Sequence, residues 1–284
     1  MKNIFFAAFI FTLLINCQNF PHAKGKLVII GGVQTQEIVK KFVALAGGPN
    51  ARIIIIPNAG SEPVLNSEEE QKNFISLGAK ADYLLFTKET ADADSNLKKI
   101  SWANAIFFLG GDQVDLTRDM LGTKLLQKAY DIYENGGVIA GSSAGAAVMS
   151  EVMITGNELI NKDSTVSFVT IEKGNVETKQ GFGFLKTVII DQHFLKRKRH
   201  NRTIAVLIEH PRLLGVAIDE STSIIVYPDD TFEVLGNNQV LVYDPTNATD
   251  IREDKKGKLG INNMKLNVLI TGDKYDLKSK QVIK

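Results

Sequence analysis

The chain has 284 residues, 44% hydrophobic and 23% charged, with 33 basic against 32 acidic side chains. That length builds one large domain or two small ones with an ample core, and the charge balance excludes the basic excess of a dedicated nucleic-acid binder. Its 23 glycines have no period and its 15 phenylalanines are scattered, which excludes collagen-like and disordered classes. A single cysteine excludes an intrachain disulfide, a Cys-based zinc site and a CxxC redox pair.

Met1-Lys2-Asn3 precedes an apolar run from Ile4 to Ile15, interrupted only at Thr12. The run is too short to span a bilayer as a helix and matches the apolar region of a secretory signal. Cys17 follows Leu14-Ile15-Asn16, which resembles a bacterial lipoprotein signal whose cysteine becomes the lipidated first residue. The expectation is an export segment over residues 1–17, a linker over 18–25, and a periplasmic or outer-surface protein tethered through lipid on Cys17.

From Lys26 the pattern alternates. Apolar runs at Lys26–Gly32, Ala51–Pro57, Ala81–Phe86, Ala105–Gly111, Val138–Gly141 and Thr187–Asp191 read as strands covered on both faces. Helical stretches at Gln36–Ala46, Ser67–Leu77 and Lys124–Tyr133 lie between them. The predicted fold is α/β, a mostly parallel central sheet with helices on both faces. After Leu214 short runs at Val216–Asp219, Ser223–Tyr227, Thr231–Leu235 and Gln239–Val242 alternate with turn pairs such as Pro228-Asp229, predicting antiparallel hairpins. One domain over residues 26–245 is expected, with 246–284 as an extension whose one apolar run is Leu266–Ile270.

Ligands of open α/β sheets bind beyond the carboxyl ends of the strands. There, Gly141-Ser142-Ser143-Ala144-Gly145 has the spacing G-x-S-x-G, with a hydrophobic strand before it and a helix expected from about Ala144. A strand-to-helix elbow holds the serine in a strained conformation, and small neighbours are required on both sides. The helix start offers backbone N–H groups to an oxyanion. The alternative is a glycine-rich turn around a serine N-cap.

A serine nucleophile needs a base, and the base an orienting group. Of four histidines, His22 is in the linker, His200 lies in a run of charges and reads as solvated surface, and His210 stands at a helix end beside Pro211. His193, in Asp191-Gln192-His193-Phe194, closes a strand. Glu220, after Gly215–Asp219, is the best-placed carboxylate, with Asp219 and Asp191 as competitors. A lower-ranked reading, in the Ser–acid–His order of α/β-hydrolases, uses Asp163 or Asp191 with His200 or His210. Paired glycines at Gly110-Gly111 permit close approach of backbone amides to a ligand. Arg199 and Arg202 share one helical face beside His193, which suits a carboxylate-rich substrate.

Together, Gly110–Gln113 (GGDQ), Gly141–Ala146 (GSSAGA), Asp191–Arg202 (DQHF followed by R-x-R-x-x-R) and Ile218–Glu220 (IDE) resemble the cyanophycinase and α-aspartyl dipeptidase family of serine peptidases, nearer the cyanophycinase branch. The resemblance spans about Lys26 to Val242. It implies a class I glutamine-amidotransferase-like fold and a Ser143, His193, Glu220 triad. Its substrate-binding positions correspond to Gln113, Asp191, Gln192, Arg197, Arg199 and Arg202. This chain departs from the family in its export signal, its C-terminal extension and Ser142, where cyanophycinases commonly have threonine. With amides of Gly111 and Ala144 as the oxyanion hole, the expectation is an exported enzyme that cleaves cyanophycin, a poly-aspartate bearing arginine on its β-carboxyls, to β-Asp-Arg dipeptides. Rival readings are a peptidase for other aspartyl or isoaspartyl peptides and an inactive surface-tethered binder. No metal or organic cofactor is called for. The expected partners are a peptide or cyanophycin substrate, a membrane through the lipid tether and a second copy in a homodimer; nucleic acid is not among them.

Overall fold

Nine strands form the main sheet, and a second sheet of four strands meets it where the candidate residues lie. The computed structural model describes residues 23–160, 162 and 167–284; the expected export segment, Cys17, His22 and Asp163 lie outside the described residues.

The first half is alternating β/α. Strand β1 (Lys26–Ile30) leads to helix α1 (Gln36–Leu45), and β2 (Arg52–Ile56) to α2 (Pro63–Ser76). Then β3 (Lys80–Tyr83) leads to α3 (Asp94–Ser101), and β4 (Ala105–Phe108) to α4 (Gln113–Met120) and α5 (Lys124–Glu134). Strand β5 (Val138–Ser142) runs into the single-turn helix α6 (Ala144–Ala147). The parallel strands lie in the order β1-β5-β4-β2-β3. Their continuous apolar runs follow from burial on both faces: Leu27 and Ile29 join one core, Val28 and Ile30 the other. On the second face Phe42, Phe74 and Phe107 from α1, α2 and β4 pack with ring centroids 5.3–5.4 Å apart.

The hairpin of β6 (Val152–Glu158) and β7 (Val176–Gln180) comes next. Strand β8 (Val188–Gln192), helix α7 (His200–Glu209) and β9 (Leu214–Ile218) then make a parallel β/α/β unit. The expected strand at Thr187–Asp191 thus belongs to the second sheet, not to the main one. Strand β10 (Thr222–Val226) returns to the main sheet antiparallel to β1, and β11 (Thr231–Gly236) pairs with it. Strand β12 (Val240–Asp244) rejoins the second sheet beside β9. Of the hairpins expected after Leu214 only β10–β11 forms between chain neighbours; β9 pairs antiparallel with β12 and parallel with β8, because the chain alternates between two sheets.

Residues past 245 continue in strands. β13 (Thr249–Glu253) and β14 (Leu259–Asn262) form a ribbon, and β15 (Lys265–Leu269) is the outer partner of β12. β16 (Lys274–Asp276) and β17 (Gln281–Ile283) extend the main sheet beyond β11. Other boundaries shift for local reasons. The helix expected at Ser67 begins at Pro63, whose fixed φ suits the first helical position and whose missing N–H costs nothing there. Helices α3, α4 and α7 lie outside the helical stretches expected although each is more amphipathic than α2, and α6 is a single turn followed by a bridge from Ser150 to Leu185.

Candidate active site

Ser143, His193 and Glu220 each sit one or two residues past the end of a strand. Ser143 follows β5 with φ 54° and ψ −108°, the strained elbow the spacing demands. The flanking glycines are required by contact: a Cβ on Gly141 would lie 2.2 Å from the Gly145 carbonyl oxygen, and one on Gly145 would lie 2.2 Å from that of Phe108. The elbow is anchored by the Ser143 amide, which donates to the Ile30 carbonyl at 3.0 Å.

His193 follows β8 with φ 50°, and its amide donates to the Gly31 carbonyl at 2.6 Å. Parallel pairing of β8 with β9 sets Gln192 opposite Ile218, so the residues after each strand, His193 and Glu220, emerge side by side. The Ser143 hydroxyl lies 2.8 Å from His193 Nε2, and His193 Nδ1 lies 2.7 Å from Glu220 Oε1. A carboxylate can only accept, so Nδ1 carries the proton toward Glu220 and Nε2 faces the serine as a base. Asp219 instead accepts the Lys196 amide at 2.9 Å, and Asp191 is held by arginine, so neither competitor reaches the imidazole. The Glu220 carbonyl is fixed in turn by Asn238 Nδ2 at 2.8 Å.

Burial pushes the His193 imidazole below its ordinary value, the charges of Arg197 and Arg199 push the same way, and Glu220 opposes them. The ring is therefore neutral near pH 7, the state a general base needs. The hydrogen bond from His193 holds the Glu220 carboxyl below the usual range, with Lys196 and Arg197 adding to it.

Beneath the imidazole lies an ionic cluster. Arg202, 2% exposed, donates through Nε to Asp191 Oδ2 at 2.9 Å, through Nη2 to Asp191 Oδ1, and to Gln192 Oε1 at 2.9 Å. Asp191, 1% exposed, also accepts the Thr203 hydroxyl at 2.6 Å. Arg199 Nη1 donates to Gln192 Oε1 and to its carbonyl at 2.7 and 2.6 Å. Burial, with Arg202 beside it, pushes Arg199 down to about 10, which leaves it charged at neutrality. Arg197 is exposed and Arg199 half-buried, whereas Arg202 and Asp191 are buried against each other. Gln113 is also turned inward, its amide donating to the Ile154 and Thr155 carbonyls at 2.8 and 2.6 Å and bracing the β6 strand.

Gly110 packs on the nucleophile, where a Cβ would lie 3.3 Å from Ser143 Cβ, and Gly111 packs on Ala59, with only 1.8 Å to its carbonyl oxygen. The first amides of a helix have no acceptor within it, which leaves that of Ala144, next to Ser143, without an intrahelical partner.

His200 is not solvated surface. It opens α7, its Nδ1 lies 2.8 Å from the Tyr243 hydroxyl, and its ring meets Phe194 edge-on at 4.6 Å. His210 caps the end of α7, away from the serine. Gly32 is the functional position that sequence reasoning left without a role. A Cβ there would lie 2.5 and 2.6 Å from His193 Cε1 and Nδ1 and 3.1 Å from Glu220 Cγ, so its bareness makes room for the imidazole. The paired glycines after the first strand were its only signal. Among the described residues no group of three His, Cys, Asp or Glu side chains could hold a metal ion.

An elbow serine, an imidazole and a carboxylate linked in series at the strand ends of an α/β fold are the working parts of a serine-type peptidase. Comparison with known proteins narrows the class: the profile of Peptidase family S51 matches residues 27–235, and the chain belongs to that family. It is 35% identical over 274 residues to the cyanophycinase of Synechococcus elongatus, covering 91% of this chain and 81% of that one. It is 33% identical over 270 residues to the cyanophycinase of Nostoc sp., covering 92% and 88%. A crystal structure of a peptidase from an acI-B1 actinobacterium shares the fold with a TM-score of 0.67 at 22% identity, covering 90% of this chain and 98% of that one.

Proposed function

We propose that this S51 peptidase is a cyanophycinase, hydrolysing the amide backbone of cyanophycin to β-Asp-Arg dipeptides through an acyl-enzyme. The observation that carries the reading is the unbroken Ser143–His193–Glu220 series, at 2.8 and 2.7 Å, beside the guanidinium groups of Arg197 and Arg199. The serine oxygen attacks the carbonyl while His193 Nε2 takes its proton. The imidazolium then gives that proton to the leaving amine, and water repeats the sequence on the ester. Glu220 fixes the tautomer and stabilises the imidazolium in each half-reaction. Amides of Gly111 and Ala144 receive the oxyanion, each worth about 3 kcal/mol in the transition state. Arg197 and Arg199 hold substrate carboxylates, and Arg202 with Asp191 stiffens the floor beneath them.

Incubation with insoluble cyanophycin and mass analysis of the soluble products tests the reading. β-Asp-Arg release supports it; release only from other aspartyl or isoaspartyl peptides replaces it. The same reading has the enzyme exported and lipid-tethered through Cys17, acting on polymer released by other cells. Loss of membrane association in Cys17→Ser supports that, and retention of an unprocessed soluble chain refutes it. The exposed Leu266 and Val268 on edge strand β15, with Ile270 just past its end, favour a homodimer, which light scattering of the purified protein measures directly.

A further inference from the structure

A cavity opens beyond the ends of β2 and β3 in the main sheet. It encloses about 460 Å³ and is lined by Asn58, Gly60, Phe86, Thr87, Thr90 and Asp119, from the segments leaving β2 and β3 and the last turn of α4. Gly60 connects it to the candidate active site. A Cβ on Gly60 would lie 3.6 Å from the Gly110 carbonyl oxygen, and Gly110 itself packs on Ser143. One backbone turn separates the cavity from the nucleophile.

Its chemistry is that of a cation site. Asp119 is 6% exposed, accepting Asn58 Nδ2 at 2.9 Å on one oxygen and Arg118 Nε at 2.8 Å on the other. It stands in the last turn of α4, where helix carbonyls already make the potential negative. The charged groups around it are the carboxylates of Asp115 and Glu89 against the cations Arg118 and Lys88, both at the surface; Lys88 donates to the Leu121 carbonyl and Arg118 also pairs with Asp115. With Asp119 counted, carboxylates outnumber cations. Threonine hydroxyls at 87 and 90 add acceptors, and Phe86 with Leu85 offers apolar wall to an aliphatic stem.

Every arm of an arginyl-aspartate polymer ends in both a carboxylate and a guanidinium. The arginines beside His193 suit the first group, but Asp191 among them is 1% exposed and takes two nitrogens of Arg202 and the Thr203 hydroxyl, whereas Asp119 takes one nitrogen of the exposed Arg118 and the Asn58 amide and lines an open cavity. The guanidinium therefore needs an acceptor elsewhere along the cleft. We propose that this cavity is a subsite that seats the guanidinium of a neighbouring arm of the polymer against Asp119. The inference rests on the cyanophycinase reading and deepens it by naming what holds the chain beyond the scissile unit. Binding there is remote from the reacting bond, so it acts on polymer and long oligomers and not on the shortest substrates.

The test uses soluble cyanophycin oligomers whose arms beyond the scissile unit carry either arginine or neutral, near-isosteric citrulline. Wild-type enzyme is expected to favour the arginine series by about tenfold in kcat/KM, the value of one charged hydrogen bond. Asp119→Asn is expected to abolish that preference through KM, leaving the citrulline series unchanged. Leu85→Trp, on an exposed wall of the cavity and clear of the Asp119 bonds, should do the same, and serves if the first variant folds poorly. An unaltered preference in the folded variants, or an equal loss on both series, overturns the subsite. If wild-type enzyme cleaves no cyanophycin oligomer, the functional reading falls instead. Calorimetric titration of wild-type protein with agmatine then decides the cavity: weaker binding in Asp119→Asn supports it, and equal or absent binding overturns it.

Discussion

Gly32→Ala puts the weight of the geometry on one methyl group. Its carbon would lie 2.5 Å from His193 Cε1 and 2.6 Å from Nδ1, where carbon atoms rest at about 3.5–4.0 Å. The imidazole must retreat by about 1 Å, and it is the only link between Ser143 at 2.8 Å and Glu220 at 2.7 Å. Misplacement of that size in a reacting constellation costs about a hundredfold, or about 2.7 kcal/mol on the barrier. The atoms nearest the added methyl belong to His193 and Glu220, so the loss should fall on kcat with KM little changed. Overpacking adds about 1–3 kcal/mol of destabilisation, visible as a lowered Tm in a chain that still folds. Steady-state kinetics on soluble β-Asp-Arg oligomers, with circular dichroism to verify folding, makes the measurement. A folded variant retaining kcat within about threefold of wild type would show that the imidazole does not sit against Gly32, and the series would lose its geometry.

Further outcomes follow from the same contacts. Ser143→Ala should fold normally and lose turnover by about a thousandfold or more, read by product release under saturating substrate; near-normal turnover would end the nucleophile assignment. Burial and the neighbouring arginines hold His193 below 6.5, so activity should persist below that pH and fall as the ring protonates at lower values. Arg197→Gln removes a charge that disfavours the imidazolium, raises the His193 value, and should move the acid limb of the pH–kcat profile upward; a downward shift would contradict the assignment. The sign for stability agrees: the unfolded chain takes up the proton more readily than the folded one, so His193 costs stability as pH drops through 6.5. Arg202→Ala strands the buried Asp191 carboxylate, and urea unfolding should show a loss of about 3–5 kcal/mol.

Much of the molecule was legible because its signals are local. The runs KLVII and RIIII have every apolar residue buried on one face or the other, so composition alone identified them as strands of a covered sheet. The elbow was legible because its G-x-S-x-G spacing is local, and the crowding at Gly141 is set by Gly145 itself, although that at Gly145 comes from distant Phe108. His193 was separable from His200 and His210 because it closes a strand. What sequence could not decide was partnership between distant segments. The run at Thr187–Asp191 looks like its predecessors, yet it pairs with β9 in another sheet, a choice made by long-range hydrogen bonding that no local pattern records. Asp191, Asp219 and Glu220 are chemically alike in sequence; only the β8–β9 register, the burial of Arg202 and the turn at Lys196 leave Glu220 on the imidazole. The same holds for Gly32, whose missing side chain acquires meaning only when a ring from far along the chain fills the space. Local spacing supplied the chemical groups, and tertiary packing decided which of them meet, because a proton passes only between atoms that the fold brings within hydrogen-bond reach.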